Sequence, residues 1–244
     1  MLLSQLSEAD YCAASFLDQR IITPQLQRQT VPWSALSGIT VDAPRPLFIF
    51  HIGHVGSTLI SRLHGEHKDI LALREPPLLR TFAELSLVNG EPHAPWSPQK
   101  YSSRLDQSVT WLSRSFHPEQ RVMIKASSFV SEISGRLITP DTRALFLFAR
   151  LPQYLETIFA GDGSRQEASM LAGQRLERLH RRLGGHLANL WDLSEGQKIA
   201  LGWLCEMLTL QQTAEQKQDG QIVWLNFDDF LAEPEKRLSG IAAH

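Results

Sequence analysis

Phe48-Ile49-Phe50-His51-Ile52-Gly53-His54-Val55-Gly56-Ser57-Thr58-Leu59-Ile60-Ser61-Arg62-Leu63 decides how this chain folds. The apolar run from Pro46 to Ile52 reads as a buried strand, and it breaks at Gly53 into a short loop. From Ser57 the residues read as a helix, with Leu59, Ile60 and Leu63 on one apolar face. A strand, a tight glycine loop and a helix N-terminus together make an anion cradle. The glycines let the backbone approach a ligand closely, the first helical N–H groups lack internal partners, and the helix dipole adds partial positive charge. Ser57 and Thr58 add hydroxyl donors. The stretch reads as a phosphate-binding loop.

Composition limits what such a loop serves. The chain has 244 residues, of which 43% are hydrophobic and 20% charged, so it can bury an ordinary globular core. With 24 basic and 26 acidic residues the net charge is −2, which offers no general attraction for nucleic acid or a membrane surface. No apolar run approaches the ~18 residues of a membrane span. The start Met1-Leu2-Leu3 soon meets Glu8 and Asp10, unlike a secretory signal. Cys12 and Cys205 read as reduced thiols, and the expected location is the cytoplasm.

Outward from the loop, an α/β rhythm is expected. Residues 5–20 read as a surface helix and 21–45 as an extended, proline-bearing lead-in. Strands follow at 46–52, 70–73, 121–125, 143–149 and 223–227. Helices are expected at 57–66, 78–87, 103–116, 128–137, 165–184 and 195–216, with one more after Pro152 and a last one from Pro234 still running at Ala242-Ala243-His244. Strands alternating with helices imply an α/β fold, a mainly parallel sheet with helices on both faces, in one domain over 1–244: a lead-in of 1–45 and a core of 46–240. Ligands of such sheets sit at the carboxyl ends of strands.

The spacing excludes two common phosphate loops. GxxxxGK followed by Ser or Thr is absent, because Gly53 and Gly56 are too close and no lysine precedes Ser57; GxGxxG is absent as well. The chain instead resembles the sulfotransferase family, whose loop has the form P-[KR]-x-G-[ST]-[ST] between a strand and a helix. Gly53-His54-Val55-Gly56-Ser57-Thr58 is similar to that loop, Glu75-Pro76 to the Glu-Pro found after the second strand of many bacterial members, and Lys125 to a lysine at a later strand end. Leu147 to Pro152 is similar to the family's Arg-x-Pro turn, and Val223 to Pro234 to its closing strand and acidic pair.

The resemblance runs in order over about 46–240. It implies the three-layer fold of P-loop-containing nucleoside triphosphate hydrolases in its sulfotransferase form, and a donor, 3′-phosphoadenosine 5′-phosphosulfate, with no metal required. The partner it implies is a hydroxyl (or amine) acceptor, a small molecule or a glycan. It also implies roles: Gly53, His54, Val55, Gly56, Ser57 and Thr58 on the 5′-phosphosulfate, and Arg150 with Thr157 on the 3′-phosphate. Two departures mark this chain. His54 replaces the basic residue of the loop, and Ile158 stands where the family has a serine eight positions after the arginine.

Each candidate has a competing reading. Glu75 at a strand end suits a general base, or it is a helix-start carboxylate beside Arg74. His54 suits a cation on the leaving phosphate, or it offers only its backbone N–H. Lys125 supplies the missing cation, or snorkels from a strand end. Arg150 has a fork suited to phosphate, or pairs with a neighbouring carboxylate. Thr157 also reads as a helix-face residue. The pairs His51/His54 and His64/His67 lack a third ligand at recognisable spacing, so no metal site is expected. Trp96 and Tyr101 wall an acceptor pocket or pack on the core. Besides a sulfotransferase, a catalytically weak or inactive nucleotide-binding or interaction protein of the same fold stays open, as does a kinase-like phosphotransferase.

Overall fold

The computed structural model of the protein describes residues 1–18 and 20–242. Two short strands open the chain, β1 (Leu2–Ser4) and, beyond α1 (Glu8–Ala13), β2 (Arg28–Thr30); they pair antiparallel, Leu3 opposite Gln29. Five longer strands follow: β3 (Leu47–His51), β4 (Ile70–Arg74), β5 (Arg121–Lys125), β6 (Ala144–Phe148) and β7 (Ile222–Asn226). They form one sheet in the order β4-β5-β3-β6-β7, mainly parallel and flanked by helices, with β3 in the middle. In its parallel pairs with β5, Arg74 of β4 and Ile49 of β3 both lie opposite Lys125.

The chain divides into two units. The first holds Met1–Phe50 and Thr58–Ala144; the second holds His51–Ser57 and the chain from Leu145 onward. In the first lie most of α2 (Ser57–Gly65), then α3 (Pro77–Ser86), α4 (Pro98–Leu112) and α5 (Ser134–Leu137). Its core includes Phe48, Phe82, Tyr101, Val122 and Ile124, each at most 2% exposed, so the strand interiors are apolar throughout, as a sheet covered on both faces requires. In the second lie α6 (Leu151–Phe159), α7 (Asp162–Leu183), α8 (Glu195–Glu215), α9 (Phe227–Ala232) and α10 (Pro234–Ala242).

The long helices α7 and α8 pack through Leu176, Leu179, Leu201 and Cys205. Burial pushes the Cys205 thiol up to about 12, and Cys12 is free and exposed. A charge cluster is buried beside this seam: Arg178 binds Glu206 with both nitrogens of its fork, at 2.7 and 3.1 Å, and Arg175 Nε donates to the same carboxylate at 3.4 Å.

Several elements differ from the sequence reading. The helix expected over 5–20 spans only Glu8–Ala13. Ser7 and Asp10 form a capping box that starts it, and Ala14 leaves the helical conformation. The cause at the far end is the buried Arg74, whose Nη1 donates to the carbonyls of Tyr11, Cys12 and Ala14 and so caps a helix that cannot continue. Residue 19 of that expected helix, and residues 243 and 244 of the last, lie outside the described residues. The helix expected at 103–116 starts earlier, because Ser97 caps it and Pro98 takes its first position. Residues 128–137 form a 3₁₀ turn, Ser128–Ile133, before the single turn of α5. Helix α9 is additional: Asn226 ends β7 and caps α9 by accepting from the Asp228 N–H at 3.0 Å.

The Arg178–Glu206 pair is fully buried, so removing one partner strands the other charge. Glu206→Ala is expected to cost about 3–5 kcal/mol in urea unfolding, whereas Arg181→Ala, which breaks an exposed pair with Glu177, is expected to stay within about 0.5 kcal/mol of the parent.

Candidate active site

The loop after β3 turns by left-handed backbone at three of four successive residues: Gly53 has φ +91°, His54 +50° and Gly56 +67°. Such turns gather neighbouring N–H groups into an anion-binding concavity. Gly56 is required on two counts. Its φ disfavours a side chain, and a Cβ there would lie 2.0–2.7 Å from the ring atoms of Phe227. That ring belongs to the first residue of α9 and stacks with Phe230, centroids 5.9 Å apart. Nothing in the local sequence of the loop indicates Phe227. The Gly53 N–H is already used: it donates to Nδ1 of the buried His51 at 3.0 Å, which places the His51 proton on Nε2. The cradle for a ligand therefore begins at His54 and runs through Val55 and Gly56 to Ser57 and Thr58, the first two residues of α2.

His54 and Glu75 are the non-glycine residues with positive φ among the described residues, Glu75 at +57°. Backbone strain of this kind costs on the order of 1–3 kcal/mol and gathers at functional sites. His54 turns to α7 within the second unit: its Nε2 lies 3.2 Å from Glu167 Oε2 and its Nδ1 3.3 Å from Ser164 Oγ. Neither partner was signalled by the sequence, because α7 starts more than a hundred residues downstream.

In the first unit, Glu75 continues directly from β4, and its N–H donates to the Lys125 carbonyl at 2.7 Å. Their side chains form an ion pair in which Lys125 is 2% exposed and Glu75 25% exposed. The ammonium also sits over the Phe16 ring, 4.7 Å from its centroid. Burial lowers the Lys125 pKa, and the Glu75 carboxylate opposes that shift. Lys125 is thus a buried strut beneath Glu75, whose carboxylate reaches solvent.

Arg150 stands exposed at the residue before α6, and its Nη2 donates to Asp229 at 2.8 Å, both partners being in the second unit. Thr157 is exposed on the same helix and donates its hydroxyl to the Gln153 carbonyl at 2.9 Å. Ile158 is fully buried, so the position where the family carries its serine faces the core here. Tyr101 is buried with its hydroxyl donating to the Phe82 carbonyl, and Trp96 packs against Trp33 and Phe82. Tyr101 belongs to the core of the first unit, and Trp96 is half-buried at its margin. No three His, Cys, Asp or Glu side chains are grouped to hold a metal ion among the described residues.

No family model matches the chain, and no curated protein matches it in sequence. Solved structures do. A sulfotransferase domain from the curacin biosynthetic pathway aligns over 82% of this chain and 73% of its own, with a TM-score of 0.51 at 13% identity. A sulfotransferase from Alicyclobacillus acidocaldarius aligns over 82% and 80% (TM-score 0.44, 16% identity). The sulfotransferase domain of the Synechococcus PCC 7002 olefin synthase aligns over 84% and 75% (TM-score 0.49, 13% identity). The first of these shows the fold: the chain has the α/β fold of the sulfotransferases.

The contact at Gly56 is directly testable. Gly56→Ala is expected to cost about 1–2 kcal/mol for the left-handed backbone and about 1–3 kcal/mol for overpacking against Phe227. In the Gly56→Ala/Phe227→Ala double variant the second part is expected to vanish, leaving a positive coupling in a double-mutant cycle of thermal unfolding.

Proposed function

We propose that the protein transfers a sulfuryl group from 3′-phosphoadenosine 5′-phosphosulfate to a hydroxyl or amine of a small-molecule or glycan acceptor, in the cytoplasm. The observation that carries this reading is the loop, where left-handed backbone at Gly53, His54 and Gly56 gathers N–H groups at the start of α2. Its shape suits a tetrahedral anion bound by backbone. The sulfotransferase fold supports the same reading.

The donor brings an activated sulfuryl group on a phosphate leaving group. This chain's residues bind and orient it. The N–H groups from His54 to Thr58 and the hydroxyls of Ser57 and Thr58 take the 5′-phosphosulfate oxygens, and charge that grows on the phosphate side meets donors already in place. His54, once protonated, adds the cation that the loop otherwise lacks. Arg150, with Thr157 beyond it on α6, serves the 3′-phosphate by exchanging Asp229 for the ligand. Glu75 takes the acceptor proton. Lys125 holds that carboxylate in one orientation through their ion pair, and its charge is spent there.

A second reading, a protein of this fold that binds nucleotide without turnover, is favoured by two contacts. Arg150 is already engaged by Asp229, and both ring nitrogens of His54 face α7. The two readings part on activity. Isothermal titration of the full chain with 3′,5′-adenosine diphosphate is expected to show binding, and Glu75→Gln to bind alike while losing about 100-fold or more in transfer to a panel of hydroxyl acceptors. Absence of binding would reject the donor assignment. Binding with equal turnover in both forms would remove Glu75 as the base, and binding with no transfer by either would establish the second reading.

A further inference from the structure

His54 stands where the loop requires a positive charge, yet an ordinary imidazole is mostly neutral at pH 7. The structure surrounds it with a device that answers this. Ser164 and Glu167 lie one helical turn apart on α7, so their side chains share a side of the helix. They hold the two ring nitrogens separately, Glu167 at Nε2 and Ser164 at Nδ1. An ionised carboxylate only accepts hydrogen bonds, so Nε2 carries the proton toward Glu167. That fixes the nitrogen that can change state. In the neutral ring, Nδ1 accepts from the Ser164 hydroxyl. In the imidazolium, Nδ1–H donates to Ser164 Oγ. The switch needs only rotation of a hydroxyl.

We propose that Glu167 and Ser164 belong to the anion-binding machinery of the loop. Glu167 is the positioning residue that holds His54 by Nε2, and Nδ1 together with the Ser164 hydroxyl is the face presented to a phosphate oxygen. This assignment rests on the donor-binding reading and extends it to two residues of α7. An anionic oxygen that reaches Nδ1 is met by a donor there when that nitrogen carries a proton. The resulting imidazolium lies between two negative groups, the ligand oxygen on one side and Glu167 on the other. The Ser164 hydroxyl, released from Nδ1, donates to the same ligand. The anion takes over the Ser164 contact at Nδ1, whereas Glu167 keeps the ring in place at Nε2. A carboxylate beside an anion site, unfavourable by itself, acts here through the imidazole between them.

The test uses the full chain labelled with ¹⁵N at histidine, with His54→Gln assigning the His54 signals. In the ligand-free protein at pH 7, long-range ¹H–¹⁵N spectra are expected to show His54 protonated at Nε2. Saturation with 3′,5′-adenosine diphosphate is expected to shift Nδ1 from acceptor to donor type and leave Nε2 protonated. Glu167→Gln is expected to bind this nucleotide five- to tenfold more weakly and to lose the fixed tautomer, with Glu167→Asp recovering part of both. Ser164→Ala is expected to weaken binding two- to fivefold and keep the tautomer. Glu177→Ala, on a later exposed turn of α7, serves as the control and is expected to match the parent in both readouts. If the parent binds the nucleotide and Glu167→Gln binds it equally with unchanged His54 nitrogen shifts, the assignment is overturned while the donor reading stands. If the parent binds no nucleotide, the donor reading fails and this assignment falls with it. Should Glu167→Gln not fold, the parent spectra with Ser164→Ala and Glu167→Asp decide the matter.

Discussion

The Phe227 ring lies where a side chain at residue 56 would have to be. That exclusion forces glycine at this point, and glycine permits the left-handed turn that brings the chain from β3 into α2 within a few residues. A longer or looser connection would carry the first N–H groups of α2 away from the carboxyl end of the strand. The ring itself is fixed from behind, since it opens α9 under the Asn226 cap and stacks on Phe230. A short helix near the end of the chain therefore determines the shape of a loop near its beginning. His54 is bound into the same unit by α7. The shape of this loop is in this sense a tertiary product of the second unit rather than a property of its own few residues.

The two buried ion clusters illustrate different uses of charge. Glu206 is wholly inside, held by both nitrogens of one arginine and reached by a second, so no charge there meets solvent. Its role is confined to the seam between α7 and α8, where a hydrophobic replacement of the whole cluster would cost little but loss of one member would cost much. In the Lys125–Glu75 pair the cation is buried and the anion is partly open. The desolvation cost falls on the lysine, whose proton affinity drops, and the Phe16 ring face offsets part of it. Only one end of the pair reaches solvent, and it is the end with strained backbone.

Much of this was legible in the chain. The run Leu47–His51, the break at Gly53 and the periodic residues after Ser57 carry local signals strong enough to fix a strand, a loop and a helix. The parallel sheet follows from strands repeating between helices. The misreadings arose where distant groups decide. Arg74 ends α1 from another element, and the sequence of 5–20 holds no trace of it. The helix expected from residue 103 opens at Pro98, five residues earlier. At the site, Gly53, His54, Gly56 and Glu75 were legible because glycine spacing and a strand-end carboxylate are local patterns. Phe227, Ser164, Glu167 and Asp229 were not, because their relevance is spatial and no spacing encodes it.

Across the molecule, the loop brings together backbone N–H groups set by left-handed turns and a histidine held at both ring nitrogens by α7. A crystal structure of the complex with 3′,5′-adenosine diphosphate tests this most directly. The account predicts a 5′-phosphate seated in the loop, its oxygens about 2.7–3.2 Å from the N–H groups between His54 and Thr58. A nucleotide bound elsewhere on the protein, with the loop making no contact to phosphate, would contradict it.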